Sequence, residues 1–260
     1  MNRWIIIIFS LLLSRPGISQ NDTINQTDAN EIRQGYWIKN YDDGAKKAEG
    51  FFKDGKQIGV FNHYYPTGKI QTKIKHRTKS DTADALYYHT NGKIMGEGIY
   101  IDEKKEGLWL FYDDLEELSS AEVYKAGLKH GESKTFYLNQ KLAKKVTYEN
   151  GIETGGYIEY FRDGKIKEQG TFLEGSKHKE MKQFFPSGVV KTVGNYARGK
   201  RHGKWVYYND KGGITAQEMY RYDKLQKQTL SEETEKEKSE FQKDLNKREG
   251  DYIPEDSIDE

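Results

Sequence analysis

Gly59-Val60-Phe61-Asn62-His63-Tyr64-Tyr65-Pro66-Thr67-Gly68-Lys69-Ile70 is the stretch that decides the fold, because its pattern returns every 24 residues. Units opening at Gly35, Gly59, Ala83, Gly107, Gly131, Gly155, Lys179 and Gly203 follow one another with no insertion or deletion. Five residues into each stand Asn40, Tyr64, Tyr88, Tyr112, Phe136, Tyr160, Phe184 and Tyr208. Nine residues in come Gly44, Gly68, Gly92, Glu116, Gln140, Gly164, Gly188 and Gly212. An aliphatic residue follows two positions later in all units but the first, which has Lys46. Seventeen residues in, the column is Phe52, His76, Tyr100, Tyr124, Tyr148, Phe172, Tyr196 and Tyr220. Register held through eight units marks a repeat array, whose stability is a sum over neighbouring units.

Each unit contains two turn signals. Tyr65-Pro66-Thr67-Gly68, Arg162-Asp163-Gly164 and Pro186-Ser187-Gly188 lead into a Gly able to take positive φ. A Gly-x-x-x-Gly spacing, as in Gly55 to Gly59 and Gly151 to Gly155, gives the second turn. The segments between are of strand length, and the second strand alternates cleanly. Ile166, Glu168, Gly170 and Phe172 share one face, while Lys167 and Gln169 take the other. The first strand carries Trp37, Phe61, Trp109, Tyr157, Met181 or Trp205, and a Gly opposite such a ring leaves it room to lie flat. One repeat therefore reads as a β-hairpin, and eight read as an all-β antiparallel meander of sixteen strands, roughly 75 Å long at ~4.8 Å per strand.

The ends differ from the array. Met1, Asn2 and Arg3 precede an apolar run from Trp4 to Leu13, and small residues Gly17 and Ser19 follow, which reads as a signal peptide over residues 1–19. Residues 20–34 read as a polar linker, 35–226 as the eight repeats and 227–260 as a charged tail. Ser231-Glu232-Glu233 is a helix start and Gly250 a stop, so a solvated helix is expected over about 231–248, with a disordered acidic end over 251–260. Residues 35–225 carry 33 basic and 26 acidic side chains, and residues 226–260 carry 6 and 12. The balance across the whole chain is only +1, with no field pointing to nucleic acid. Cys is absent, which excludes disulfides, thiolate metal sites and Cys nucleophiles. An apolar fraction of 35% cannot fill a thick core, and 19 Tyr cover a thin sheet instead.

Units of the form Gly-x-Trp-x-x-Tyr-Tyr-x-x-Gly-Lys-Ile, closing on Tyr-x-x-Gly, resemble MORN repeats, most of all the bacterial variety of YwqK-family proteins. Gly59 to Ile70, Gly107 to Tyr112 with Tyr124 and Gly127, and Gly203 to Tyr208 with Tyr220 carry the resemblance. Ala83 and Lys179 depart from the opening Gly, and Glu116 and Gln140 from the turn Gly. The resemblance implies a scaffold of antiparallel hairpins that binds proteins or membranes. Some bacterial members bear the label antitoxin.

No motif for catalysis or phosphate binding is present, so neither an enzyme nor a cofactor is expected. His130, His178 and His202 close their units one or more repeats apart, and ~10 Å between equivalent atoms is too far for one zinc. Two candidate binding features remain. Tyr64, Tyr88, Tyr112, Tyr160 and Tyr208 would form an aromatic ladder along one face, either packing the sheet or gripping a partner. Lys129, His130, Lys177, His178, Arg201 and His202 would form a basic edge for an acidic protein or lipid surface. The expectation is an exported, non-enzymatic scaffold for an unidentified protein. An immunity-type protein occluding one partner and a peripheral membrane protein are the alternatives.

Overall fold

The structure, a computed structural model, describes residues 24–78 and 80–250. The signal-peptide segment 1–19 and the acidic end 251–260 lie outside the described residues. Among the described residues, twenty strands and one helix follow in chain order. They begin with β1 (Gln26–Thr27), β2 (Arg33–Asn40), β3 (Lys46–Lys53), β4 (Lys56–Tyr64), β5 (Ile70–His76), β6 (Thr82–Tyr88) and β7 (Ile94–Ile101). Next come β8 (Lys104–Tyr112), β9 (Leu118–Lys125), β10 (Leu128–Lys129), β11 (Gly131–Phe136), β12 (Leu142–Glu149), β13 (Ile152–Tyr160) and β14 (Ile166–Leu173). The last are β15 (Ser176–Phe184), β16 (Val190–Ala197), β17 (Lys200–Arg201), β18 (Gly203–Tyr208), β19 (Ile214–Arg221), β20 (Lys224–Leu230) and α1 (Glu232–Gly250). Successive strands pair antiparallel into one meander sheet, as the repeat implies; β10 and β11 both pair with β9, and β17 and β18 both pair with β16, each couple forming one interrupted strand.

Both ends of the sheet extend past the eight units. Within the stretch read as a linker, Gln26 and Thr27 pair with Gln34 and Arg33. Residues 227–230, read as the start of the tail, belong to β20, which pairs along β19 from Ala216↔Leu230 to Arg221↔Lys224. Neither segment shows the repeat's residue columns, and its pairing comes from the sheet edge it meets. The helix then starts where the Ser231 signal places it, with Ser231 Oγ accepting from Thr234 N at 3.3 Å.

The Gly-x-x-x-Gly spacing turns out to hold two devices. In Asp54-Gly55 both residues have positive φ (51° and 76°), a tight two-residue hairpin turn. The second glycine, Gly59 at φ 65°, sits inside β4 at a bulge where Gly59, Val60 and Phe61 all oppose Gly50. Lys179 keeps the bulge at φ 62°. Ala83 loses it, and β5 pairs with β6 in unbroken register. The bulge swings the following ring over the glycine of the preceding strand. A Cβ on Gly50 would stand 2.1 Å from Phe61, and one on Gly194 2.2 Å from Trp205. The core is thus a single layer of side chains against the sheet, with Phe61, Trp109, Val146, Tyr157, Met181 and Trp205 buried along it.

Neighbouring units are also stitched at the first-turn edge. Tyr41, Tyr65 and Tyr137 hydroxyls donate to the carbonyls of Tyr64, Tyr88 and Tyr160 at 2.7, 2.7 and 2.6 Å. His89 Nε2 does the same for Tyr112 at 3.0 Å. Glu116 and Gln140, standing at the turn position where other units have Gly, are held at φ 68° and 61°. L-residues adopt that region at a cost of roughly 1 kcal/mol or more. Glu116→Gly and Gln140→Gly are therefore expected each to raise stability by about 1 kcal/mol in urea denaturation, whereas Gly164→Gln, at φ 95°, should lower it.

Candidate binding faces

Strand alternation divides the side chains between two faces, which we call packed and open. The packed face carries the buried rings and, above them, a column of cations, half-buried at Lys105, Lys129, Lys177 and Arg201 and exposed at Arg33. Lys105 Nζ lies 4.4 Å from the Trp109 ring centroid and 4.9 Å from that of Tyr124. Lys129 lies 5.3 Å over Tyr148, and Lys177 lies 5.4 and 5.6 Å over Tyr157 and Tyr196. Arg201 Cζ is 4.0 Å from the Tyr220 ring, and Arg33 Cζ is 4.9 Å from that of Trp37. Ring quadrupoles favour this placement. Two of the lysines also meet carboxylates: Lys129 meets Glu122 at 2.8 Å and Lys177 meets Glu168 at 2.5 Å. Burial lowers the Lys105 ammonium pKa from its ordinary value.

The six residues read as a basic edge are therefore not one surface. Lys129, Lys177 and Arg201 belong to the packed face, engaged with rings and acids. His130, His178 and His202 follow them by one residue and fall on the opposite face. The His202 ring meets that of Tyr222 at 4.6 Å, tilted by 42°, and its Nδ1 is buried with no hydrogen-bond partner among the described residues. His130 Nδ1 accepts from Asn150 N at 3.5 Å. Sequence reasoning missed Arg33 and Lys105, although both occupy the repeat position of Lys129, Lys177 and Arg201. That shared position was the available signal. Among the described residues no group of His, Asp and Glu is arranged to hold a metal ion.

Tyr64, Tyr88, Tyr112, Tyr160 and Tyr208 lie on the open face, all half-buried. Among the described residues no ring contact joins any two of them, so they are not a stacked ladder. Tyr64 and Tyr36 both donate to Glu49, which Lys46 also reaches at 2.6 Å. Burial raises that carboxyl, but donation from Lys46, Tyr36 and Tyr64 outweighs burial and brings it down to about 2. Tyr112 donates to Glu97 at 2.8 Å, and burial together with that carboxylate raises its hydroxyl to about 12. The hydroxyls of Tyr88, Tyr160 and Tyr208 make no hydrogen bond to the described residues.

Beside Tyr88 and Tyr112 the open face is apolar. Leu86 on β6, Ile99 on β7 and Leu108 and Leu110 on β8 line a shallow depression of about 380 Å³, with Asp84 and Glu97 at its rim. Leu108 is 56% exposed. Further along, the same face is a mosaic of charge pairs, such as Glu132 with Lys134 at 2.9 Å and Lys145 at 2.5 Å, or Lys182 with Glu180 at 3.0 Å.

Five stretches of the chain, residues 57–77, 82–102, 129–150, 153–174 and 177–197, match the family described as MORN repeat variant. This is a MORN-repeat protein. The first, fourth and eighth units, outside the matched stretches, form the same hairpins as the MORN repeats around them. No curated protein matches the chain. Among solved structures it is similar to TarM of S. aureus, at 14% identity and a TM-score of 0.21 over 49% of this chain and 20% of that one. A TarM mutant in complex with fondaparinux, alpha-GlcNAc-glycerol and UDP gives the same identity and score. The chain thus spans about a fifth of TarM. It is also similar to a porin-like protein from Bacteroides uniformis, at 8% identity and a TM-score of 0.19 over 75% and 96% of the two chains.

Proposed function

We propose that this MORN-repeat protein, its units of the bacterial YwqK type, is an exported, non-enzymatic scaffold at the cell envelope that holds a protein partner on the open face of β6–β9. The apolar strip of Leu86, Ile99, Leu108 and Leu110 carries the reading. On the packed face, rings, cations and acids partner one another, and over β11–β15 the open face carries ion pairs such as Glu132 with Lys134 and Lys145 and Lys182 with Glu180. Here a contiguous apolar surface forms a depression with two tyrosines beside it, the composition of an interface centre; a second open-face apolar cluster, Phe51, Ile58 and Val60 beside Tyr36, lies on β2–β4. Export is supported by the basic, apolar and small-residue order of residues 1–19.

A photo-crosslinking residue at Leu108, in the full chain expressed in its native cell, tests this. One discrete protein adduct is expected at Leu108 and none at Lys167, an open-face position outside the strip. Leu110→Lys should weaken that partner at least tenfold, about 1.4 kcal/mol. Leu108→Lys, at an exposed site, should leave folding stability within about 0.5 kcal/mol. Equal adducts at both positions would overturn the proposal.

A further inference from the structure

The two ends of the sheet are finished differently. At the N-terminal edge, residues 24–32 fold back over β2 and satisfy its outward backbone. Asn25 N donates to Tyr36 O at 2.9 Å, Asn25 Oδ1 accepts from Ile38 N at 2.7 Å, and Trp37 Nε1 reaches Gln26 O at 3.1 Å. Among the described residues the C-terminal edge has no such cover. β20 pairs only with β19, six of its seven residues are exposed, and α1 packs toward β19. Among the described residues the one bond closing on the β20 backbone from its own side chains is Gln226 Nε2 to Lys224 O at 2.9 Å.

Charge marks the same edge. Arg221 and Lys224 stand directly opposite each other across the β19–β20 ladder, and Lys227 follows opposite Met219. These three cations lie on the open face, and none has an ion pair among the described residues. The nearby Asp223 carboxylate is engaged by Arg201, through Arg201 N at 2.8 Å and Arg201 Nε at 3.5 Å. Like charges opposed across a ladder are unfavourable, so the last hairpin keeps a positive strip that nothing on the chain's described surface neutralises. A second β20 brought alongside would add two more lysines to it, which disfavours self-pairing.

We propose that β20 is a docking edge for an extended acidic segment of another protein, which adds to the sheet as its next strand. Main-chain hydrogen bonds from the free side of β20 would supply affinity, and carboxylates beside Lys224 and Lys227 would supply selectivity and fix the register. This surface is separate from the apolar strip of β6–β9, and each reading stands or falls alone.

The probes are a synthetic Thr-Glu-Val-Glu-Val-Glu-Thr peptide and its twin with Lys in place of Glu, each titrated into the full chain while amide hydrogen exchange is followed by NMR. The acidic peptide should bind saturably and slow exchange of the outward amides of β20 at least tenfold, and the basic twin should not. The Lys224→Glu/Lys227→Glu variant, altered only at exposed positions, should keep the wild-type circular dichroism, bind the acidic peptide at least tenfold more weakly and accept the basic one. Equal binding of both peptides, protection confined to other strands, or undiminished acidic-peptide binding by the variant would overturn the proposal. So would protection of β20 that rises with protein concentration in the absence of peptide, which would assign the edge to a second copy. Protection of β20 in the full chain that is lost on truncation after Gly250 would assign it to the chain's own acidic end, with the same consequence.

Discussion

Gly98→Ala is expected to destabilise the array by about 3 kcal/mol, a large effect for a single methyl group. The added Cβ would lie 2.3 Å from Trp109 Cδ2, 2.4 Å from Cε2 and 2.7 Å from Cγ. Trp109 cannot step aside. It is fully buried, its Nε1 donates to Ile99 O at 3.1 Å, Lys105 covers it, and Tyr100 and Tyr124 meet its ring at 5.1 and 6.3 Å. Trp109→Ala removes the obstacle and the packing together and should cost about 4 kcal/mol. The two changes share one space, so the double variant should be within about 1 kcal/mol of Trp109→Ala alone, a coupling near 2 kcal/mol or more. Gly156→Ala is the control, because nothing lies within 4 Å of its Cβ position; a change within about 0.5 kcal/mol is expected there. Urea denaturation followed by far-ultraviolet circular dichroism measures all four. Additive losses at Gly98 and Trp109 would sink the close-approach account.

That pair is legible in the sequence, because period-2 alternation puts a strand glycine and a ring column on one face. The bulge that joins them was less legible. Gly59 and Gly107 were visible as repeat glycines, but a glycine in a turn and a glycine in a bulge look alike without strand register. Lys179 holds the bulge at φ 62° while Ala83 abandons it, and no propensity separates those outcomes. The edge strands were invisible for a related reason: residues 26–27 and 227–230 take strand form from the ladder they meet, not from their own pattern. Of the candidate site, the open-face tyrosines were found but their isolation from one another was not, because repeat position fixes the face without fixing ring contacts. Lys129 and His130 were grouped as neighbours in sequence, and the pleat separates them.

Glu168→Ala is expected to cost about 3 kcal/mol at pH 7, the scale of breaking a buried ion pair from one side. The carboxylate is 8% exposed and accepts from Tyr157 Oη at 2.5 Å, Lys177 Nζ at 2.5 Å and Gln183 Nε2 at 2.8 Å. Burial alone would raise its pKa, but donation from Gln183, Lys177 and Tyr157 outweighs burial and holds it below the usual carboxylate value. A folded-state pKa depressed below the unfolded value of about 4.3 stabilises the fold above that pH, and the contribution is lost as pH falls through the folded value. Glu218 is lowered in the same way, and Glu49 lies at about 2. Burial also holds the imidazoles of His63 and His76 below their ordinary value, so stability should begin to decline as pH falls below about 6.5 and fall further from about 4.5 toward 2. Glu168→Gln keeps the shape but not the charge and should cost about 1.5 kcal/mol at pH 7. Its gap from the wild type should narrow as pH drops, since both then carry a neutral group at this site. A gap in urea midpoints that stays constant from pH 7 to 3 would exclude a linked carboxylate. The location gives the effect its reach. Glu168 stands on β14, while Lys177 and Gln183 come from β15, the strand that leads into the next repeat. In an array whose stability is summed over neighbours, losing this cluster weakens the sixth-to-seventh junction first. Hydrogen exchange in the Glu168→Ala variant should accordingly rise across β14 and β15 before it rises in β6–β9.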